Sequence, residues 1–168
     1  YFRIPQWGKT SQLTINGKEI DTFNKNGSYI EVVRKWKKGD IIELNLDMQP
    51  VLMEANPLVE EARNQTAVKR GPLVYCLESA DIPGDYSIDN ILIPSDIKLT
   101  PRKIVIDNSS IVCLEGQADL VVDNQSWENQ LYRPVGQEKR KVNIRLIPYY
   151  AWGNRGKGEM TVWMPLSR

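Results

Sequence analysis

The stretch that decides the fold is TAVKRGPLVYCL, residues 66–77. It contains two short apolar runs, at 66–69 and 73–77, separated by Arg-Gly-Pro at 70–72, a combination that favours a turn. The second run has apolar residues at consecutive positions, which is typical of a strand covered on both faces. The stretch therefore predicts two strands deep in a sheet, joined by a tight turn.

Short strand patterns continue on both sides of this stretch. Leu13 and Ile15 alternate with polar residues and run into Asn16-Gly17, a dipeptide suited to a tight hairpin. Residues 58–63 are either a loop or one helical turn, and nothing else has a helical period. Further apolar runs lie at 30–36, 42–46, 52–55, 104–106, 112–114, 120–122, 142–146 and 160–164. Because turn signals separate these runs about every ten residues, we predict an all-β fold, an antiparallel β-sandwich.

The charge balance argues against two classes of partner. Lys and Arg number 22 and Asp and Glu number 21, which gives a formal charge of +1. No net field would attract a polyanion or an acidic membrane surface, and no apolar stretch approaches the ~20 residues that span a bilayer. We therefore predict no nucleic-acid partner and no membrane partner.

The residue types that carry most catalysis are missing or isolated. The chain has no histidine, which removes the commonest general base and metal ligand. The two cysteines, Cys76 and Cys113, are 37 positions apart in apolar runs, which favours buried free thiols; a disulfide requires that their strands be neighbours. Spacing does not single out any pair of carboxylates. We predict no catalytic residue and no metal or other cofactor site in this chain.

The tryptophans divide between core and surface. Trp36 shares an alternating face with Ile30 and Val32, which favours packing in the core. Trp127 lies in a polar, loop-like stretch, and of the five tryptophans it is the one whose surroundings in the sequence least indicate a place in the core. An exposed indole can stack on a sugar ring, so Trp127 and Trp152 are candidate sugar-stacking residues.

The most unusual segment is 149–156, YYAWGNRG, which combines large aromatic residues, an amide and a guanidinium beside glycines. Aromatic and arginine side chains are enriched where one protein surface covers another. We interpret the segment first as an interface with another domain, with core packing and direct sugar contact as alternatives. The candidate interface residues are Tyr149, Tyr150, Trp152, Asn154 and Arg155.

Several motifs in order along the chain carry a family resemblance. They are RIPQW at 3–7, NGK at 16–18, WKKGD at 36–40, RGPLVY at 70–75, PYYAW at 148–152 and NRG at 154–156. Together they resemble the C-terminal region of glycoside hydrolase family 127, the β-L-arabinofuranosidase type. The resemblance covers nearly the whole chain.

The resemblance implies a domain arrangement. Members of the family have an (α/α)₆ catalytic barrel followed by two β-sandwiches, the second inserted before the last strands of the first. Residues 1–78 and 148–168 would then form the first sandwich, lacking its opening strands, and residues 79–147 the inserted one. Since the first residues of the chain already have a strand pattern, we expect a piece of a longer polypeptide.

The resemblance also implies what the longer protein does. It would remove L-arabinofuranose from plant glycans, using a cysteine nucleophile in a zinc site and a glutamate acid/base. All of these belong to the barrel, and none maps onto Cys76 or Cys113. The chain itself would be a non-catalytic accessory module whose partner is its own catalytic barrel, with a plant glycan as a further partner. A carbohydrate-binding module with its own affinity is the alternative. The location of the longer protein stays unknown, with periplasmic or extracellular favoured.

Overall fold

The computed structural model describes residues 1–22, 25–84, 86–122, 129–134, 136 and 138–167. It divides into two compact units, Tyr1–Gln49 and Pro50–Arg168. Both units consist of strands and turns, with a few 3₁₀ turns in the second, so the all-β prediction is confirmed. In the described part of the chain, no helix is long and apolar enough to cross a membrane.

The first unit contains two small antiparallel sheets. Strands β1 (Phe2–Ile4) and β4 (Ser28–Ile30) form one pair, and β2 (Gln12–Ile15) lies between β3 (Lys18–Ile20) and β5 (Ile42–Asn45) in the other. The β2–β3 hairpin turns at Asn16 and Gly17, whose φ angles are 52° and 73°. Two consecutive positive φ angles suit this dipeptide, and the predicted hairpin is confirmed.

Trp36 does not occupy the core of this unit. The buried side chains are those of Ile4, Leu13 and Ile30, with Val32 packed against them. Strand β4 ends at Ile30, so the alternation does not extend to Trp36, which is 47% exposed. The Arg34 guanidinium lies over its indole ring, 5.0 Å from the ring centroid. The prediction of a core tryptophan was therefore wrong.

The second unit contains the remaining strands and four 3₁₀ turns. The strands are β6 (Pro50–Met53), β7 (Gln65–Arg70), β8 (Leu73–Glu78), β9 (Ile91–Pro94), β10 (Thr100–Ile106), β11 (Ser109–Val122), β12 (Glu138–Pro148), β13 (Met160–Thr161) and β14 (Met164–Ser167). The 3₁₀ turns are Glu60–Ala62, Ser79–Asp81, Ile88–Asn90 and Tyr149–Ala151. The turn predicted at 70–72 joins β7 to β8, and the short turn at 60–62 falls in the segment predicted as a loop or one helical turn.

Six of these strands form a closed ring. Going round it, β7 pairs with β8, β8 with β12, β12 with β11, β11 with β9, β9 with β14, and β14 with β7. All of these pairs are antiparallel except β9–β14, which is parallel. Since β14 inserts between β7 and β9, the ring has no free edge there. The sheet is therefore barrel-like and closed, and a plain antiparallel sandwich does not describe it.

The division of the chain differs from the one predicted at residue 78. Leu77 of β8 pairs with Leu146 of β12, so residues on both sides of the predicted boundary belong to one sheet. The chain divides into its two compact units between Gln49 and Pro50 instead. The apolar pattern weakens after Glu78 because the chain enters a 3₁₀ turn between strands of the same sheet.

Apolar side chains pack on both faces of β8, as its consecutive apolar residues predict. Tyr75 and Leu77 belong to the cluster inside the ring. Cys76 points the other way, into a second cluster with Cys113, Ile147 and Ala151. Because side chains alternate along a strand, the continuous run supplies both clusters.

The two cysteines are buried free thiols. Cys76 lies on β8 and Cys113 on β11, and β12 runs between these two strands. Two inter-strand spacings of about 4.8 Å separate them, which is beyond the Cα separation of about 7 Å that a disulfide can span.

Candidate functional site

The segment 149–156 follows β12 directly and covers the second apolar cluster. Its 3₁₀ turn, Tyr149–Ala151, buries Ala151 in that cluster. Tyr149, Tyr150 and Trp152 are 47%, 64% and 44% exposed. We call these three side chains the aromatic surface. The segment combines a buried anchor with exposed aromatic side chains, which is the composition of a contact surface.

Arg155 holds this segment against the end of β8. Its Nε donates to Glu78 Oε2 at 2.8 Å and its Nη1 to Asp81 Oδ1 at 2.9 Å, while Nη2 contacts both carboxylates. Both carboxylate side chains are nearly buried, and Arg145 approaches Asp81 at 3.7 Å. Hydrogen bonds to Asp81 and then to Glu78 raise the pKa of Arg155 against the opposing effect of burial. The guanidinium bridges two carboxylates whose charged forms burial would otherwise destabilise.

Further hydrogen bonds fix the backbone of the segment. The Gly153 amide donates to the second oxygen of Glu78 at 2.8 Å, and Asn154 Nδ2 donates to the Ala151 carbonyl at 3.2 Å. The amide of Ser79 donates to the Glu159 carbonyl at 3.0 Å. Glu78 therefore hydrogen-bonds both the backbone and the arginine of the segment. These bonds fix the position of the segment that carries the aromatic surface.

The structure brings the predicted interface residues together, but their side chains differ in exposure and in the contacts they make. The three aromatic side chains are exposed on one short segment, whereas Arg155 and Asn154 bond within their own unit. Trp127 lies outside the described residues. Sequence reasoning missed Glu78 and Asp81, because they lie 77 and 74 positions from Arg155 and no local pattern links them. The only signal was a charged residue at the end of an apolar strand.

The thiols lie in surroundings that suppress their reactivity. Burial, with a smaller contribution from the charge of Glu78, raises the pKa of the Cys76 thiol to about 12. Burial also raises the pKa of the Cys113 thiol. Since the thiolate is the nucleophile and the metal ligand, neither cysteine is suited to either role. Within the described ranges, no three histidine, cysteine, aspartate or glutamate side chains form a group that could hold a metal ion.

A polar groove of about 930 Å³ runs along the outer face of β11 and β12. Two directly opposed pairs form its floor, Glu115 with Arg145 and Gln117 with Asn143, and Lys141, opposite Asp119, also lines it. Arg145 Nη2 lies 3.1 Å from Glu115, and Lys141 Nζ lies 2.7 Å from Asp119. No aromatic residue is among those of its lining that the structure describes. The groove offers hydrogen bonds but no stacking platform.

The fold and these surfaces define an all-β protein of two consecutive units, the second of which presents an exposed aromatic surface. Residues 50–165 match the glycoside hydrolase family 127 C-terminal domain, and residues 1–48 match the β-L-arabinofuranosidase, GH127 middle domain. These ranges follow the two compact units. The chain therefore belongs to glycoside hydrolase family 127, as its motifs indicated, and corresponds to the C-terminal portion of its β-L-arabinofuranosidases.

Individual relatives agree with this assignment. A non-reducing end β-L-arabinofuranosidase of Bifidobacterium longum subsp. longum is 33% identical, over 96% of this chain and 25% of that protein. A solved glycoside hydrolase is 62% identical with a TM-score of 0.91, over 99% of this chain and 27% of that one. A GH127 β-L-arabinofuranosidase from Geobacillus stearothermophilus T6 is 38% identical with a TM-score of 0.84, over 98% and 26%. The chain thus spans about a quarter of the length of each of these relatives.

Proposed function

We propose that this chain is a non-catalytic accessory module of a glycoside hydrolase that acts on L-arabinofuranosides of plant glycans. In this proposal its partner is an N-terminal (α/α)₆ catalytic barrel of the same polypeptide, against which the aromatic surface packs. The observation that carries the proposal is the construction of that surface. Three exposed aromatic residues stand on a segment fixed by Glu78 and Arg155, and a rigid aromatic surface loses little entropy when it is covered.

The chemistry of the chain supports a non-catalytic role. A glycosidase requires two carboxyl groups on either side of the scissile bond. Glu78 and Asp81 are close together, but the Arg155 guanidinium occupies the space between them. The sequence has no histidine, and both cysteines are buried with raised pKa values. In the proposal, the nucleophile, the acid/base and any zinc belong to the barrel.

A second candidate function is carbohydrate binding by the module itself. The half-exposed Trp152 could stack on a sugar, and the amides of Gln117 and Asn143 in the polar groove could bind hydroxyl groups. The first proposal is favoured because the tryptophan and the groove amides are not assembled into one described pocket, since Trp152 is absent from the groove lining.

Calorimetric titration of the chain with arabinan and pectic oligosaccharides separates the two proposals. The accessory role predicts no saturable binding. Saturable binding that Trp152→Ala abolishes and Tyr132→Ala preserves would establish the second proposal; Tyr132 is a matched control because it is 89% exposed and outside the aromatic surface. Hydrolysis of an aryl L-arabinofuranoside by the chain alone would refute both.

Hydrogen exchange tests the proposed contact with the barrel. Amides at 149–152 should exchange more slowly in the full-length polypeptide than in the chain alone, because the barrel would cover them. The exposed amides near Tyr132 serve as an internal reference. Equal exchange at 149–152 in both samples would exclude docking through the aromatic surface.

A further inference from the structure

Arg70 lies at one end of the six-stranded ring. It is the last residue of β7 and precedes Gly71, which turns the chain with a φ of 57°. Two residues earlier on the same face of β7, Val68 is buried inside the ring, and Leu73, directly opposite Arg70, packs against the same cluster. Alternation therefore directs the Arg70 side chain toward the interior at this end of the ring.

The Arg70 guanidinium has an unmet hydrogen-bonding requirement. Its Nε is buried and has no hydrogen-bond partner. Among the ion pairs of the described residues, none joins Arg70 to a carboxylate. Its polar neighbour is Tyr75, whose hydroxyl already donates to the Val112 carbonyl at 2.9 Å. Burial raises the pKa of Tyr75, and the Arg70 cation, which also hydrogen-bonds the phenol, opposes that rise. A neutral phenol does not balance the charge of Arg70.

Arg70 and the aromatic surface lie near the same point of the sheet. Tyr75 pairs with Pro148, the last residue of β12, and the aromatic surface begins at the next residue, Tyr149. Tyr150 lies near enough to Tyr75 to contribute, after burial, to the raised pKa of that phenol. Tyr75 thus connects the Arg70 guanidinium on β7, whose Nε has no partner, with the exposed aromatic residues after β12.

A buried donor without a partner is costly, and a guanidinium is more so because it carries charge. The cost disappears when a planar acceptor with two oxygens binds the fork of the guanidinium, as a carboxylate does. Arginine beside tyrosine and tryptophan is also the composition that dominates binding energy at protein interfaces. A contact partner that covers the aromatic surface is therefore placed to supply the missing acceptor.

We propose that Arg70 binds an aspartate or glutamate side chain of the N-terminal part of the longer polypeptide, beside Tyr150. This inference rests on the proposed function, because it states the chemistry of the group that docks there. The partner surface is accordingly acidic at this point and apolar where it covers Tyr149 and Trp152.

The test compares Arg70→Met in two settings, the chain alone and the full-length polypeptide. In the chain alone, the Tm should not fall, because the substitution removes an unmet polar group. In the full-length polypeptide, amides at 149–152 should lose protection about tenfold or more, since truncating one partner of a desolvated charge pair weakens an interface strongly. Arg70→Lys, which keeps the charge without the fork, should lose less.

Arg63→Met is the matched control, because Arg63 lies in the same unit, is exposed and makes only a 3.9 Å ion pair with Glu60. It should leave the protection unchanged in the full-length polypeptide. Protection of 149–152 that is present but equally insensitive to both arginine substitutions would overturn the inference and leave the proposed function standing. If the amides at 149–152 are not protected in the unsubstituted full-length polypeptide, both the inference and the proposed function are wrong. A lower Tm for Arg70→Met than for Arg63→Met in the chain alone would assign Arg70 an internal structural role instead.

Discussion

Arg155 donates from Nε to Glu78 Oε2 at 2.8 Å, joining two residues that are 77 positions apart in the sequence. Glu78 ends β8, and Arg155 belongs to the segment that follows β12. Since β8 and β12 are paired neighbours, the bond fastens the segment across the ends of two adjacent strands. The position of the aromatic surface therefore depends on the sheet rather than on the segment alone.

Arg155→Ala should destabilise the chain by about 3 kcal/mol, because it leaves Glu78 and Asp81 nearly buried without their shared cation. Urea denaturation at pH 7 measures the change. Arg63→Ala, which breaks only an exposed ion pair, should change the free energy of unfolding by no more than about 0.5 kcal/mol. Equal effects of the two substitutions would show that the bridge contributes nothing to stability.

Part of the acid sensitivity of the second unit should come from Asp119. A hydrogen bond from Lys141 lowers its pKa from the ordinary value of 3.8. A carboxyl group with a lowered folded-state pKa stabilises the protein above its unfolded pKa, and this contribution is lost as the pH falls through the folded pKa. The free energy of unfolding should therefore fall less between about pH 5 and pH 2 in Asp119→Asn than in the unsubstituted chain.

The control for this pH dependence is Asp96→Asn, which changes an exposed carboxylate outside the Lys141 pair. Its free energy of unfolding should follow pH as the unsubstituted chain does. If the Asp119→Asn and Asp96→Asn curves coincide, Asp119 is not a source of the acid sensitivity.

Cys76 and Cys113 should resist thiol reagents while the chain is folded. Both are buried, and burial raises the pKa of Cys76 to about 12, so the thiolate is scarce at pH 8. With an aromatic disulfide reagent at pH 8, both thiols should react in denaturant, whereas the folded chain should react only at the rate of its unfolding. Rapid labelling of one thiol without denaturant would contradict this description of the second apolar cluster.

Gly116→Ala should destabilise the ring by about 1–3 kcal/mol through overpacking. A Cβ atom at this position would lie 2.9 Å from the Lys98 carbonyl oxygen and 3.0 Å from Leu99 Cδ2. The segment at 97–99 would have to move away from β11. Gln117→Ala changes the neighbouring exposed residue and should alter stability by less than about 0.5 kcal/mol. If the thermal or urea midpoint is the same for both variants, residues 97–99 move away from β11 without a measurable loss of stability.

The features that could be predicted from the sequence are those fixed by local chemistry. Asn16-Gly17 specifies its own backbone angles, and the turn at 70–72 separates two runs whose apolar residues must be buried. Both predictions required only neighbouring residues. The position of the aromatic residues at 149–152 after the last long strand was also readable, because the segment follows a clear alternating pattern.

The features that could not be predicted depend on partners distant in the chain. Periodicity reports which face of a strand is buried but not which strand lies beside it, so the closure of the ring through the β9–β14 pair was hidden. The same limit hid Glu78 as the partner of Arg155. Trp36 shows the reverse error: its alternating pattern continued in the sequence after the strand had ended at Ile30.

The closing strand β14 comprises residues 164–167, whereas its two neighbours, β7 and β9, lie far upstream. While the chain is being synthesised, β9 and the first two residues of β7, Gln65 and Thr66, therefore lack their neighbour β14 until these four residues have left the exit tunnel. Partly folded chains with open sheet edges and uncovered apolar surface are prone to aggregate and are bound by chaperones. The nascent second unit consequently completes its fold only after the ribosome has released its last strand.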